Sequence, residues 1–344
     1  MKPPVVIIIA IVVLTALPAF AQNPKAAPPA AAPKAPAAAK TWTGPKTPWG
    51  DPDIQGTWTS DDCIGTPLNR PAQFGDRLYY TEQELADREA SLARQADNDK
   101  QEFVASNARV GTGPPGHWGE RARRPCRQTS LIVDPPNGRT PDVLPEARTR
   151  RVPEGAGNDN PMPASWEDFS YYIRCITRGV TGSIFPVIYG NGQQIVQSPG
   201  FVTILQEMVH EARVIPLKGG AHTSSNIRSY MGDARGHWEG NTLVVETTNF
   251  LGNRTGLGGN GGGMPTSDAL KLTERFTRVS PNELKYEVTI DDPKTYVSPF
   301  KVGFPLTQEP GYQNFEYACH EGNNAMFNSL SGARAQEKTA QEKK

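Results

Sequence analysis

Ionisable residues that could do chemistry are concentrated in one apolar stretch of the chain, from Glu207 to Arg213. Besides these two residues, the stretch carries His210 and Glu211. Histidine titrates nearest to neutral pH, so His210 is the candidate general acid or base. Ions in apolar surroundings are costly unless they are paired, so the stretch predicts either a salt-bridge network or a water-lined pocket.

We expect this stretch to lie in one central β-strand over 201–217, because apolar residues occupy both of its faces. Side chains alternate along a strand, so His210 and Glu211 would point to opposite faces unless a bulge intervened. Glu207 and Glu211 would share a face at roughly 13 Å between Cα atoms. That separation is too large for a glycosidase carboxylate pair unless both side chains lean inward. A partner for His210 would therefore come from another strand.

A second group of polar residues follows at 228–238. Arginine beside tyrosine suits the binding of a carboxylate, phenolate or enolate. The alternative is that these arginines pair with carboxylates across strands. The predicted substrate-binding residues are Arg228, Tyr230, Arg235 and Trp238, and the predicted catalytic residues are His210, Glu207, Glu211, Arg213 and His320.

Metal and serine chemistry have weaker sequence support. His210, His222 and His320 could bind zinc with one carboxylate, but the chain has no H-x-H pair and no H-E-x-x-H helix. Structural histidines are the alternative. No Gly-x-Ser-x-Gly elbow occurs, which argues against a Ser/His/Asp enzyme. We therefore predict no metal ligands and no cofactor.

Composition limits the partners and the architecture. Lys and Arg total 36 of the 344 residues, and Asp and Glu also total 36, so the net charge does not favour nucleic acid as a partner. The 33 glycines and 32 prolines favour short strands and many turns over long helices. After its first twenty residues, the chain has no apolar run long enough to cross a bilayer.

The N-terminus predicts export. Lys2, the apolar run Val5–Leu17 and the small-x-small pattern Ala19–Ala21 are typical of a secretory signal peptide, with an uncleaved anchor as the alternative. The predicted organisation is a signal peptide at 1–21, a disordered Ala/Pro linker at 22–47, one β-rich domain at 48–334 and a charged tail at 335–344. We expect a periplasmic or secreted protein with no membrane contact after cleavage.

The four cysteines agree with export. Cys63, Cys126, Cys175 and Cys319 all follow the predicted cleavage site. An oxidising compartment then favours two disulfides, with three possible connectivities that the sequence does not distinguish.

The fold prediction is a mainly β protein. An antiparallel meander closes into a barrel-like, lipocalin-like core, with one N-terminal helix and long wrapping loops. The helix is predicted at 81–108, where Thr81 and Glu84 form a capping box. Strands are predicted at Asp53–Trp58, Ser130–Val133, 184–189, 194–199, 201–217, 226–238, 242–250, 270–279, 284–291, 297–306 and 314–320.

Several specific motifs resemble a widespread family of exported, uncharacterised bacterial proteins. The motifs span most of the chain after the predicted signal, and they are Thr47–Asp53, Val133–Pro136, Glu207–Leu217, Gly232–Asn241 and Tyr317–Asn323. The resemblance implies export and carries no activity with it. The second half also has a lipocalin-like pattern, which implies a fold but no function.

These observations predict an exported, cofactor-independent enzyme, a lyase, isomerase or hydrolase, that performs acid–base chemistry on a small organic, possibly aromatic, molecule. One alternative is a lipocalin-like protein that binds a small molecule, in which the same ions are structural. A further alternative is a metal-dependent enzyme. In each case the expected partner is a small molecule.

Overall fold

The computed structural model describes residues 42–99, 120, 122–150, 163–252, 257, 264–309 and 311–342, without the side chains of residues 98, 99 and 210. The predicted signal peptide at 1–21 and the predicted linker as far as residue 41 lie outside this part of the chain. No helix within it is both long enough and apolar enough to cross a membrane.

The fold is one antiparallel sheet of ten strands. The strands are β1 Gly56–Thr59, β2 Ile132–Asp134, β3 Gln193–Ser198, β4 Phe201–Gln206, β5 Ala212–Pro216, β6 Asp233–Glu239, β7 Thr242–Thr248, β8 Lys271–Ser280, β9 Glu283–Asp291 and β10 Phe300–Gln308. Their order across the sheet is β5-β4-β3-β1-β10-β9-β8-β7-β6, and β2 pairs with β10. Because β6 to β9 follow one another through antiparallel pairs, the predicted meander is confirmed for this half of the sheet.

The sheet curls until its two edge strands nearly meet, so the predicted barrel-like architecture is confirmed. The two edges approach each other closely at Gly236 of β6. A Cβ atom at Gly236 would lie 2.9 Å from side-chain carbons of both Ile215 and Leu217, on the β5 side of the gap. Only glycine lets the two edges approach this closely, because any larger residue would push them apart.

Alternating apolar residues build the inside of the barrel. In β9 the buried side chains are Leu284, Tyr286, Val288 and Ile290, and in β10 they are Phe300, Val302, Phe304 and Leu306. Both sets match the period-two pattern of the sequence. They join Trp58 and Phe276 in a single hydrophobic core, which fixes the inward face of every long strand.

Three sequence-based strand predictions are wrong. Residues 184–189 and 314–320 form no strand. The single strand expected at 201–217 is a hairpin made of β4 and β5. It is not a doubly covered central strand, because β5 is an edge strand of the sheet and its outward-facing Val214 is 59% exposed. The strand expected at 226–238 begins only at Asp233.

Three helices accompany the sheet in the described residues: α1 at Glu82–Asp99, α2 at Gly179–Gly182 and α3 at Ala325–Glu342. Helix α1 is the predicted N-terminal helix, and the rest of its predicted span, at 100–108, lies outside the described residues. Its capping box is present, because the Thr81 amide donates to Glu84 (2.7 Å) and the Glu84 amide donates to Thr81 Oγ1 (3.3 Å). Helix α3 includes most of the predicted charged tail.

Both predicted disulfides are present. Cys63 pairs with Cys126, and Cys175 pairs with Cys319. No cysteine among the described residues is free. The first bridge fixes the short helical turn Asp61–Cys63, which follows β1. The second joins the loop before α2 to the segment before α3.

A buried ion pair crosses the interior of the barrel. Arg213 of β5 donates to both carboxylate oxygens of Glu274 on β8, at 3.1 and 2.5 Å. The side chains are 4% and 0% exposed. Burial opposes the charge of Arg213, but the Glu274 carboxylate outweighs it and the guanidinium pKa is raised. Tyr286 also donates to Glu274 (3.1 Å). Paired in this way, the charges hold β5 against the opposite wall of the barrel.

Removing one partner of this pair should destabilise the fold strongly. We expect Glu274→Ala to lower the free energy of unfolding by about 3–5 kcal/mol, because it leaves Arg213 buried without its counter-charge. The double variant Arg213→Met/Glu274→Leu should recover most of that loss, since it removes both charges. Urea unfolding with the disulfides intact measures both effects.

The control is Glu246→Ala, which breaks the exposed Glu246–Lys271 pair (2.8 Å) and should cost less than about 1 kcal/mol. An equal cost for Glu246→Ala and Glu274→Ala would contradict the structural role of the buried pair.

Candidate active site

The turn between β4 and β5 redirects the ionisable stretch of the sequence. Gln206 donates its amide to the Glu211 carbonyl (2.8 Å), which closes the turn across 207–210. Glu207 has helical backbone angles and Val209 has a φ of 62°, so the chain cannot continue as a strand. Consequently Glu207 and Glu211 occupy the two ends of a turn and do not share a strand face.

Glu207 is held at the end of the barrel by three donors. Tyr312 donates its hydroxyl to Glu207 Oε2 (2.5 Å), and the Phe315 amide donates to Oε1 (3.1 Å). The Gly192 amide adds a longer bond to Oε2 (3.3 Å). A Cβ atom at Gly192 would lie 2.5 Å from the same oxygen, so a glycine is required for the carboxylate to approach. Glu207 is thus a positioned and almost fully buried carboxylate, 8% exposed.

Two further carboxyl groups lie beside it and share one amide. Asn191 Nδ2 donates to Asp61 Oδ1 (2.7 Å) and to Glu120 Oε2 (3.1 Å). The Gly190 amide donates to the other oxygen of Glu120 (3.0 Å). We call Asp61, Glu120 and Glu207 the carboxyl cluster. Asn191 is 1% exposed, so its amide orients the cluster in a site with little water.

The carboxyl cluster holds a proton at neutral pH. Burial, followed by the negative charge of Asp61 and a hydrogen bond to it, raises the pKa of Glu120 to about 8. Glu207 contributes further repulsion. Two carboxyl groups this close cannot both ionise at low cost, so Glu120 keeps its proton beside the negative charge of Asp61.

Three tyrosines form a second group next to the turn. The hydroxyl of Tyr172 lies 3.3 Å from that of Tyr189, 3.4 Å from that of Tyr317 and 3.9 Å from the sulfur of Met208. We call Tyr172, Tyr189 and Tyr317 the tyrosine cluster. Burial and these hydrogen bonds raise the pKa of Tyr172, and burial together with Glu207 raises that of Tyr312. These hydroxyls therefore stay protonated at neutral pH.

Arg178 brings a positive charge to the same place. It is 1% exposed, and its guanidinium lies 5.4 Å from the ring centre of Tyr172. Burial lowers its pKa, while the tyrosine cluster and Glu120 act in the opposite direction. The positive charge of Arg178 therefore interacts with both the tyrosine cluster and Glu120 of the carboxyl cluster.

The segment after β10 closes this end of the barrel. It contributes Tyr312, Phe315 and Tyr317, and Cys319 ties it to Cys175. Asn323 strengthens the tie by donating to the Ile173 carbonyl (2.9 Å). Glu120, Tyr189 and Tyr312 are only partly buried, so the carboxyl and tyrosine clusters remain in contact with solvent.

The structure brings together only part of the predicted catalytic set. Glu207 belongs to the carboxyl cluster. Glu211 accepts a hydrogen bond from Thr177, just before Arg178. His210 lies in the same turn, and its side chain is outside the described part of the chain. Arg213 points into the barrel toward Glu274, and His320 is exposed in the turn after Cys319.

The predicted substrate-binding residues make contacts with other residues of the protein. Arg228 donates to the carbonyls of Phe250 (3.1 Å) and Asp268 (2.8 Å). Arg235 pairs with a carboxylate of its own strand, Asp233, at 2.6 Å. The ring centre of Tyr230 lies 5.1 Å from that of Tyr171, and Trp238 packs against the core. Arg235 is therefore paired within its own strand, and not across strands as the structural alternative for the arginines expects.

Several members of the site were missed in the sequence. Asp61, Glu120 and Asn191 come from separate loops, and no spacing rule connects them. Weak signals did exist: an Asp–Asp doublet at 61–62 follows the strand Gly56–Thr59 after one residue, and a Tyr–Tyr pair occurs at 171–172. Asn191 lies in a Gly-Asn-Gly sequence, which by itself indicates only a turn.

Within the described residues, no three His, Cys, Asp or Glu side chains form a group that could hold a metal ion. No family model, curated protein or solved structure matches this chain. The resemblance to exported bacterial proteins therefore stays a prediction, and the site must be interpreted from its own geometry.

The raised pKa of Glu120 predicts how stability depends on pH. Glu120 binds its proton more tightly in the folded protein, where its pKa is about 8, than in the unfolded chain, where it is ordinary. Its contribution is therefore complete below pH about 4.5 and is lost as the pH rises through about 8. The free energy of unfolding should fall across this window by at most about 1.4 kcal/mol per pH unit, and by less where water screens the carboxyls.

Glu120→Gln should remove this part of the slope, because its amide does not titrate. Urea unfolding at a series of pH values measures the slope, and Glu146→Gln, at an exposed position away from the cluster, is the control. Superimposable pH profiles for wild type and Glu120→Gln would show that Glu120 carries no elevated pKa.

Proposed function

We propose that the protein is an exported, cofactor-independent enzyme that transfers protons to and from a small organic molecule at the carboxyl cluster. The observation that carries this proposal is the Asn191 amide bound to both Asp61 and Glu120. Export is supported by the predicted signal sequence and by the two disulfides. The periplasm or the extracellular space is therefore the proposed location.

The proton retained on Glu120 suits general acid–base catalysis. One carboxyl of the Asp61–Glu120 pair can donate a proton while the pair retains a negative charge that can accept one. Glu207 supplies a further fixed carboxylate a short distance away. In lyases and isomerases a proton is removed from carbon or oxygen and a proton is returned, and two carboxyl groups in different protonation states can perform these two steps.

The surroundings favour a planar or aromatic substrate. The tyrosine cluster offers aromatic faces and neutral hydroxyl donors, and Arg178 offers a buried positive charge. Such groups stabilise the negative charge that develops on an enolate or phenolate oxygen during proton transfer. His210 remains a candidate proton carrier, because its backbone lies in the turn that carries Glu207.

Hydrogen–deuterium exchange at carbon tests the proposal without knowledge of the final product. The probes are phenylpyruvate, acetylacetone and acetophenone in D₂O, followed by proton NMR. We expect the wild-type protein to accelerate exchange of at least one probe. Glu120→Gln should reduce the catalysed rate by about 10²–10⁴-fold, as expected for loss of a general acid–base group.

Two further variants sharpen this test. Asn191→Ala should change the pH profile of exchange as well as its rate, because the two carboxyls lose the amide that orients them. Glu146→Gln should leave both unchanged. Wild-type activity should decline above pH about 8, where Glu120 loses its proton.

The proposal fails if no probe exchanges faster with wild-type protein than without it. It also fails if Glu120→Gln exchanges as fast as wild type. Either result would favour the alternative of a binding protein.

A further inference from the structure

A second feature, separate from the carboxyl cluster, is a cavity of about 680 Å³ between helix α1 and the outer surface of the sheet. Its walls come from α1, the chain around the Cys63–Cys126 bridge, and strands β9 and β10. Sites for small organic molecules usually occupy roughly 300–1,000 Å³. The cavity is therefore large enough for a ligand of one to several rings.

The cavity exists because α1 is attached to the body at its beginning. Leu85 is the only buried residue among the described side chains of this helix. In the first turn, Glu82 pairs with Arg127 (2.7 Å) and Glu84 pairs with Arg77 (2.5 Å). The following turns stand away from the sheet and leave the space open beneath them.

The floor of the cavity is apolar. Leu78 and Leu85 line it on the helix side, and Val133, Val279 and Pro305 line it on the sheet side. Gly303 contributes backbone without a side chain between them, and a Cβ atom there would lie close to the side chain of Glu287, at 3.2 Å. This floor suits the hydrocarbon or aromatic part of a ligand.

The charged groups around the floor leave an excess of carboxylates. Each cation that lines the cavity is paired with a lining carboxylate: Arg124 with Asp62, Arg127 with Glu82, and Lys285 with Glu287. Two lining carboxylates remain, Glu89 of α1 and Glu283 of β9. Neither has an ion-pair partner among the described residues. The unpaired charge of the cavity is therefore negative.

We infer that this cavity binds a small amphipathic organic cation. Its apolar body would lie on the floor formed by Leu85, Val133 and Val279, and its ammonium group would point toward Glu89 and Glu283. An anion of the same shape would meet those carboxylates directly and would be repelled. The site shares no residue with the carboxyl cluster, so it does not depend on the proposed enzymatic function.

Three probes with one ring system and different charges test the inference. They are 2-naphthylmethylamine, a cation at neutral pH, 2-naphthalenemethanol, which is neutral, and 2-naphthoate, which is an anion. Isothermal titration calorimetry on the full chain measures their affinities. We expect one amine per protein molecule, bound about tenfold or more tightly than the naphthoate.

Two pairs of variants locate the binding. Ala86 lines the cavity at an exposed position of α1, so Ala86→Trp should fill the space and abolish amine binding. Ala90→Trp lies on the same helix outside the cavity and is the matched control. Glu89→Gln/Glu283→Gln should weaken the amine roughly tenfold and leave the alcohol unchanged, since each exposed charge contributes about two- to fivefold. Asp87→Asn is the control for removing a charge from α1.

Unchanged thermal unfolding of each variant shows that it is folded. The inference is overturned if naphthoate binds as tightly as the amine, or if no probe binds. Binding that survives Ala86→Trp, or that is lost equally in Ala90→Trp, also overturns it, since the amine would then occupy another place.

Discussion

Repulsion between carboxyl groups is the constraint on which the site depends. Asp61, Glu120 and Glu207 lie together at one end of the barrel, and their neighbours are mostly neutral donors: the Asn191 amide, the Tyr312 hydroxyl and the backbone amides of Gly190 and Gly192. Groups of like charge in such surroundings cannot all ionise. The folded protein therefore keeps a proton on the carboxyl cluster. This proton makes the stability depend on pH, and it is also the proton that the proposed chemistry transfers.

The three carboxyl groups stay close to one another only if segments that are distant in sequence are held together. The Cys63–Cys126 bridge fixes the turn that carries Asp61, and the Cys175–Cys319 bridge holds the segment that carries Tyr317. The turn at Asp61–Cys63 also contributes one side chain to the carboxyl cluster and another to the cavity beside helix α1. Asp61 joins the carboxyl cluster while Asp62 pairs with Arg124 at the wall of the α1 cavity, because consecutive side chains in a 3₁₀ turn diverge by about 120°.

The fold was predictable where burial alone decides the pattern. The alternating apolar residues of β9 and β10 and the capping box at Thr81 follow local rules, and the structure confirms them. The β4–β5 turn was missed because it lacks glycine, proline and asparagine, and because Val209 takes a positive φ that β-branched residues rarely adopt. The site was missed because Asn191 is 130 residues from Asp61 and 71 from Glu120, so only the folded structure brings them together.

Carbon-13 NMR titration of the side-chain carboxyl groups tests the central claim most directly, because it observes the proton itself. The account predicts one carboxyl carbon that titrates near pH 8 and disappears in Glu120→Gln, while Glu146→Gln leaves it in place. If every carboxyl carbon instead titrates near the ordinary pKa of about 4, the cluster holds no proton at neutral pH and the proposed acid–base site is contradicted.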